Sequence, residues 1–268
     1  MCTFLLVTAG GLVTSNDAAL SVPDWPLAWG RLIPPWEGGI RYEFAHRVVA
    51  AAVAVLTAVL AFWMQFREHR AWLRKLGWVL LATVLAQAAL GGALVKLVDP
   101  KFLSISHACL AQLCFGLTVA IAVGLQGWTA SGGAGNMVVP RIAVAALFGQ
   151  TILGAAVRHN ALGLASHIVG AVVATTLVFW ASMGILIQDT EEPRPRRAAM
   201  LLLGLTGAQI FLGLAAYTAR EATAGDPQPM PVMVWTTVAH VAVGALVLGA
   251  AIALAMIVQG GPKISTRP

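Results

Sequence analysis

Eight stretches of this 268-residue chain are too apolar and too long to stay in water, and they constrain the fold more than anything else in it. They lie near 1–14, 43–65, 76–97, 103–126, 140–158, 161–187, 198–220 and 232–258. A helix needs roughly 20 apolar residues to cross a hydrocarbon core of about 30 Å. Inside lipid the backbone must satisfy its own hydrogen bonds, so such runs are helical. The expectation is an all-α integral membrane protein with eight transmembrane helices. Only 10% of the residues are charged, against about 25% in soluble domains, and the short connections leave no room for a soluble domain. The first run is short: Met1–Val13 covers only about 20 Å. Either the natural start lies upstream or this helix is stunted. No basic segment precedes it, which argues against a cleaved signal peptide.

The net charge of +6 is read as membrane orientation, not as a nucleic-acid surface. Ten basic residues are expected on one side: Arg67, Arg70, Arg74 and Lys75, then Arg141, Arg194, Arg196 and Arg197, then Lys263 and Arg267. That side is taken as cytoplasmic, which places both termini inside a multi-pass cell (inner) membrane protein. The other seven are Arg31, Arg41, Arg47, Lys96, Lys101, Arg158 and Arg220. Cys2, Cys109 and Cys114 lie in apolar stretches, with no CxxC or CxxCH, so neither covalent haem attachment nor a thiolate metal site is indicated. No external loop holds a cysteine, so no external disulfide forms within the chain.

The helices repeat as hairpins. Gln87-Ala-Ala-Leu90-Gly91 is followed by His107, Gln150-Thr-Ile-Leu153-Gly154 by His167, and Gln209-Ile-Phe-Leu212-Gly213 by His240. The first hairpin keeps Ala9-Gly10-Gly11-Leu12-Val13, then His46. This reads as a tandem duplication into two pseudo-symmetric four-helix bundles. Residues 1–126 form one half, 127–139 a glycine-rich cytoplasmic linker and 140–268 the other half. The glycines serve close helix packing or make room for a flat macrocycle. The glutamines are expected to make interhelical hydrogen bonds rather than to act as ligands.

Each repeat places one histidine near the outer end of an inward-running helix. An imidazole at that depth is costly and tends to be functional. One such histidine could simply make structural hydrogen bonds, but four at matched depth suggest two facing pairs, and two facing imidazoles in a bundle can hold a haem iron from both sides. Zinc or copper would want more protein ligands close together. His69, in the basic loop, is expected to be solvated, and His159, in the outer loop, either touches a site edge or is a surface residue, the surface role being favoured. Arg47, Lys96, Lys101, Arg158 and Arg220 lie near the histidine level. They either pair with haem propionates or simply snorkel to the interface.

Glu43 precedes His46 by three residues and shares its helix face. It either serves chemistry beside a porphyrin as a proton acceptor or charge stabiliser, or complements the helix N-terminus. The other three histidines have Ser104, Gly163 and Thr237 at that offset, so only the first-half site carries an acid. The connection Thr14–Ile40 contains Pro23-Asp24-Trp25-Pro26-Leu27, Trp29-Gly30-Arg31 and Pro34-Pro35-Trp36. Its prolines and interfacial tryptophans predict an ordered cap over a site mouth.

With these residues in view, the chain resembles the haem A synthase family, membrane enzymes that make haem A for terminal oxidases. The resemblance rests on Gly10-Gly11-Leu12-Val13, Leu20-Ser21-Val22-Pro23-Asp24-Trp25-Pro26, Glu43-x-x-His46-Arg47 and the later histidines 107, 167 and 240. It implies haem O as substrate between His46 and His107, and a haem b cofactor between His167 and His240. It implies oxidation of the C8 methyl of haem O to the formyl of haem A through successive hydroxylations, with Glu43 in the position of a catalytically important glutamate. Haem O synthase would supply the substrate and a haem–copper oxidase or its assembly factors would receive the product; self-association is a further implication. Many bacterial members carry a cysteine pair in the first external loop. Here Val22 and Ala28 stand near those positions, so no thiol step is available. The rival reading is a di-haem b-type cytochrome passing electrons from quinol, and a third is a haem carrier without chemistry. The cytochrome reading does not account for Glu43 or the proline-tryptophan loop.

Overall fold

The computed structural model describes residues 1–126, 138–187 and 193–259. It is all-helical. The order is α1 (Cys2–Ser15), α2 (Ile40–Arg67), α3 (Ala71–Lys96), α4 (Lys101–Leu125), α5 (Val138–Arg158), α6 (Leu164–Leu186), α7 (Pro193–Ala222) and α8 (Pro231–Gln259). Seven of the eight are long and apolar enough to cross a membrane; α1, at 14 residues, is shorter. At 1.5 Å per residue α1 extends about 21 Å. The eight expected spans are therefore seven full ones and one short apolar helix, in a multi-pass membrane protein.

Several helices run past the expected apolar limits, because a helix continues into the polar zone wherever capping and composition let it. α7 begins at Pro193, so Arg194, Arg196 and Arg197 lie in its first turns rather than in a loop. Proline suits a first helical position, where its missing N–H costs nothing, and α8 starts the same way at Pro231. α5 starts at Val138, so the last two residues of the expected linker are helical. The rest of that linker, residues 188–192, Lys263 and Arg267 lie outside the described residues.

Helices α1–α4 pack in a cycle, α1 on α2, α2 on α3, α3 on α4 and α4 on α1, and α5–α8 do the same. The two cycles meet where α1 and α4 touch α8 and where α4 touches α5. The largest apolar core lies in α5–α8, around Leu147, Val178, Leu202, Leu248 and Leu254. A second core, in α2–α4, centres on Met64, Leu73, Leu80 and Ile121. Val7, Phe115 and Ala245 form the seam between the cycles.

At the end of the molecule remote from the histidines, Arg70 grips Glu68 bidentately at 2.8 and 2.9 Å and donates to the Gly124 carbonyl at 2.7 Å. These bonds push the Glu68 carboxyl down to about 2. They also tie the α2–α3 turn to the C-terminus of α4. His69, beside them, is exposed as expected.

Candidate functional site

Helices α2, α4, α6 and α8 each bring one histidine to the same end of the molecule, and the helix before each turns a glycine toward it. A Cβ placed at Gly10 would meet His46 Cε1 at 3.3 Å, and one at Gly91 would meet His107 Cε1 at 3.3 Å. The same approach is 3.1 Å between Gly154 and His167, and 2.9 Å between Gly213 and His240. The repeated glycine lets each imidazole lie flush on the neighbouring helix backbone. That contact sets the depth of the ring.

All four imidazoles are half-buried. The ring centroids of His167 and His240 are 6.2 Å apart with their planes at 77°. Two metal–imidazole bonds of about 2 Å each, with the ring radii added, give about 6 Å, so the separation of the rings matches that of two imidazoles on one metal ion. His46 lies within electrostatic reach of His107. Nδ1 of His46, His107 and His240 is buried with no hydrogen-bond partner among the described residues. Among the described residues no three His, Cys, Asp or Glu side chains converge. A two-imidazole donor set of this kind suits a macrocycle that brings its own equatorial ligands.

The glutamines of the repeat bridge helices. Gln87 donates to the His107 carbonyl at 3.0 Å, and Gln150 to the His167 carbonyl at 2.9 Å. In α5–α8 they also reach the rings, Gln150 at 3.0 Å from His167 Nδ1 and Gln209 at 3.3 Å from His240 Nε2. Gly244 leaves the space that Gln209 occupies.

Glu43 is in the first turn of α2 and is only 6% exposed. Its Oε1 accepts from Arg47 at 2.6 Å, and its Oε2 accepts from the Val22 backbone N–H at 2.9 Å. Arg47 also donates to the carbonyls of Asp24 at 2.7 Å, Leu27 at 3.0 Å and Val22 at 3.2 Å. The connection between α1 and α2 is ordered, as the prolines predict, but its organiser is Asp24. The Asp24 carboxylate accepts from the N–H groups of Trp29 at 2.6 Å and Gly30 at 2.7 Å. This braces a two-residue turn in which Trp29 and Gly30 both have positive φ. The Gly30 N–H, foremost, holds the Asp24 carboxyl below its ordinary range. The Trp25 ring lies against Gly92 of α3, where a Cβ would come within 3.0 Å. Val22 and Ala28 are buried at 0% and 2% exposure, and all three cysteines are free. Sequence reasoning left Asp24 and the Val22 amide without a role. The Asp placed just before a Trp-Gly turn was the available signal.

The remaining basic residues are not gathered at one point. Lys96 and Arg220 are exposed. Lys101 Nζ donates to the Asn160 carbonyl at 3.1 Å, and Arg158 donates to Ser15 Oγ at 3.2 Å. Both bonds join the two helix cycles. Arg158 also lies in the field of Arg220 and Asp17. His159 is half-buried rather than a free surface residue. Burial holds its pKa below the ordinary 6.5, with Asp99 opposing and Arg158 reinforcing the shift.

Fold and site together define a membrane protein of histidine-bearing helical hairpins, with a buried acid beside one histidine. A family described as cytochrome oxidase assembly protein, COX15-CtaA, matches residues 37–167, just under half of the chain. A protein of Symbiobacterium thermophilum named Heme A synthase is 27% identical over 248 residues, 78% of this chain and 80% of that protein. One of the same name from Anaplasma marginale (strain Florida) is 33% identical over 39% of this chain and 32% of its own length. Another, from Beijerinckia indica, is 31% identical over 41% of this chain and 35% of its own length. The chain thus spans about a third of the last two relatives. No solved structure matches it.

Proposed function

We propose that this protein is a haem A synthase: an oxidoreductase that converts the C8 methyl of haem O to the formyl of haem A. Helices α1–α4 would hold the substrate, with His46 and His107 facing its iron. Helices α5–α8 would hold a haem b cofactor between His167 and His240. Exchanging α1–α4 with α5–α8 maps every helix-packing relation described above onto another of the set, which supports a reading as two pseudo-symmetric halves, 1–126 and 140–268. The histidine end would face outward, with both termini in the cytoplasm.

The observation that carries the reading is Glu43, buried one helix turn from His46 and absent from the corresponding place in the other hairpins. When bound, the cofactor haem would supply redox chemistry. What the chain itself supplies is position and charge. The four glycines set the imidazole depth. The glutamines hold the α5–α8 rings. Oxidising a methyl carbon to a formyl releases protons, and a buried carboxylate on the ligand face can accept them or stabilise positive charge developing there. Arg158 and Arg220 are the basic residues best placed for propionates in α5–α8, and Lys96 and Lys101 in α1–α4. Haem O synthase is the proposed source of substrate and a haem–copper oxidase or its assembly factors the recipient; the membrane-embedded protein is proposed to form homo-oligomers, which the oligomeric state of the purified protein tests.

The test is pigment extraction from protein expressed alongside a haem O source. Haem A is the expected product. Recovery of haem B and unchanged haem O alone would sink the enzyme reading in favour of a di-haem electron carrier.

A further inference from the structure

One guanidinium carries most of the junction between the α1–α2 connection and the acid beside His46. Arg47 makes four hydrogen bonds, to the carbonyls of Val22, Asp24 and Leu27 and to Glu43 Oε1. The other Glu43 oxygen is held by the Val22 N–H. Val22 is fully buried and Glu43 nearly so. The three carbonyls and the carboxylate therefore converge on a single side chain that is itself largely buried, with only the Leu27 bond at the exposed rim. Only arginine offers a planar fork of donors for such a cluster; lysine is a point charge on a flexible stem. The sequence reading placed Arg47 among residues that pair with propionates or snorkel to the interface. In the structure both of its terminal nitrogens are already engaged by the protein.

We propose that Arg47 is a positioning residue for the site in α1–α4. It fastens the Val22–Leu27 segment to α2 and orients the Glu43 carboxylate, so that loop and acid are set together. One Glu43 oxygen is bound to a side chain of its own helix and the other to loop backbone. Displacing the loop therefore frees the second oxygen and strips Arg47 of three acceptors at once. The inference rests on the reading that Glu43 serves this site.

The experiment uses the full chain in lipid nanodiscs, with Arg47→Gln, Arg47→Lys, Glu43→Gln and the double variant Arg47→Gln/Glu43→Gln. Hydrogen exchange of the amides in 22–30 is read without added haem, with α5–α8 as internal control. Conversion of haem O is read as kcat and KM. In Arg47→Gln, exchange in 22–30 should rise at least about tenfold, the scale of a lost charged hydrogen bond, while α5–α8 stays unchanged. Its kcat should fall about a hundredfold, the scale of a reacting group misplaced by an ångström, with a smaller change in KM. Arg47→Lys keeps a charge next to Glu43 and should recover part of kcat without recovering loop protection. The double variant should be no worse than Glu43→Gln, because both act through one carboxylate. Unchanged loop exchange in Arg47→Gln, or additive losses in the double variant, overturns the proposal. A general rise in exchange that includes α5–α8 also overturns it, since that marks a merely structural residue. Wild-type protein that makes no haem A defeats the enzyme reading, and the loop-exchange arm then still decides the clamp.

Discussion

His46 and His167 lie against their glycines in the same way, at 3.3 and 3.1 Å, yet almost nothing else about them matches. His167 is gripped by Gln150 at both its carbonyl and its ring. Four residues before Gly10, where the other hairpins have glutamine, stands Leu6. Among the described residues His46 Nδ1 is buried without a partner, whereas His167 Nδ1 has Gln150 at 3.0 Å. The chain that joins α5 to α6 is a five-residue turn, 159–163, whereas α1 and α2 are joined by the folded segment 16–39. That segment closes on Glu43 through Arg47 and the Val22 amide. The comparison teaches that the hairpin repeat sets where an imidazole sits, while its neighbours set how firmly it is held and what stands beside it. In α5–α8 both rings have amide partners, which suits a resident group. In α1–α4 neither ring has one among the described residues, which suits a group that must enter and leave.

The largest effect that can break this comparison is the loss of the acid. Glu43→Ala should keep bound haem but lower conversion by about a hundredfold or more, the usual scale for a general acid–base group. Haem extraction and chromatography check it, and full activity would remove Glu43 from the mechanism. Next come the amide partners. Gln150→Leu or Gln209→Leu should weaken haem retention in α5–α8 about ten- to a hundredfold, the range seen when a hydrogen-bond partner of a metal-ligating histidine is lost. Leu6→Gln should act in the opposite direction on the other site, slowing haem release. Transfer of haem to an apoprotein acceptor measures both, and equal off-rates in all three variants would erase the distinction between the halves. A smaller effect tests what the halves share. Gly213→Ala brings a Cβ to 2.9 Å from His240 and should cost about 1–3 kcal/mol by overpacking, with a disturbed Soret band. Gly91→Ala has 3.3 Å available and should be milder. The smallest concerns acid. Asp24 has its pKa lowered chiefly by the Gly30 N–H, so its brace on the loop is fully present above the ordinary carboxylate value of 3.8 and is lost as pH falls through the lower folded value. Loop proteolysis should accelerate only below that range, and acceleration at neutral pH would contradict it.

Much of the site was legible in the sequence because it depends on local spacing. One histidine per hairpin, a glycine on the preceding helix and Glu43 on the His46 face are matters of helical register. The expected interhelical role of the glutamines is seen at Gln87 and Gln150. Helix ends were legible only approximately: the polar start of α7 carries Arg194, Arg196 and Arg197, which hydropathy assigns to a loop. The partners of Arg47 were not legible at all. A guanidinium next to a histidine near the membrane surface reads equally well as an anion partner or as a snorkelling side chain. Nothing in the local pattern announces three loop carbonyls 20 to 25 residues back along the chain.

The sequence by itself determined that this chain enters a membrane, where its helices lie, and that four imidazoles share one level, because apolar run length and hairpin period are properties of the chain segment alone. Tertiary structure decided which groups meet across segments. Arg158 reaches Ser15 over 143 residues of sequence and Lys101 reaches Asn160 over 59. Arg47 draws in Val22, Asp24 and Leu27. Such contacts depend on how helices pack and how a connection folds back, and many helix arrangements share one hydropathy pattern. In this molecule, the sequence puts an acid beside one histidine of four, and packing decides what holds that acid.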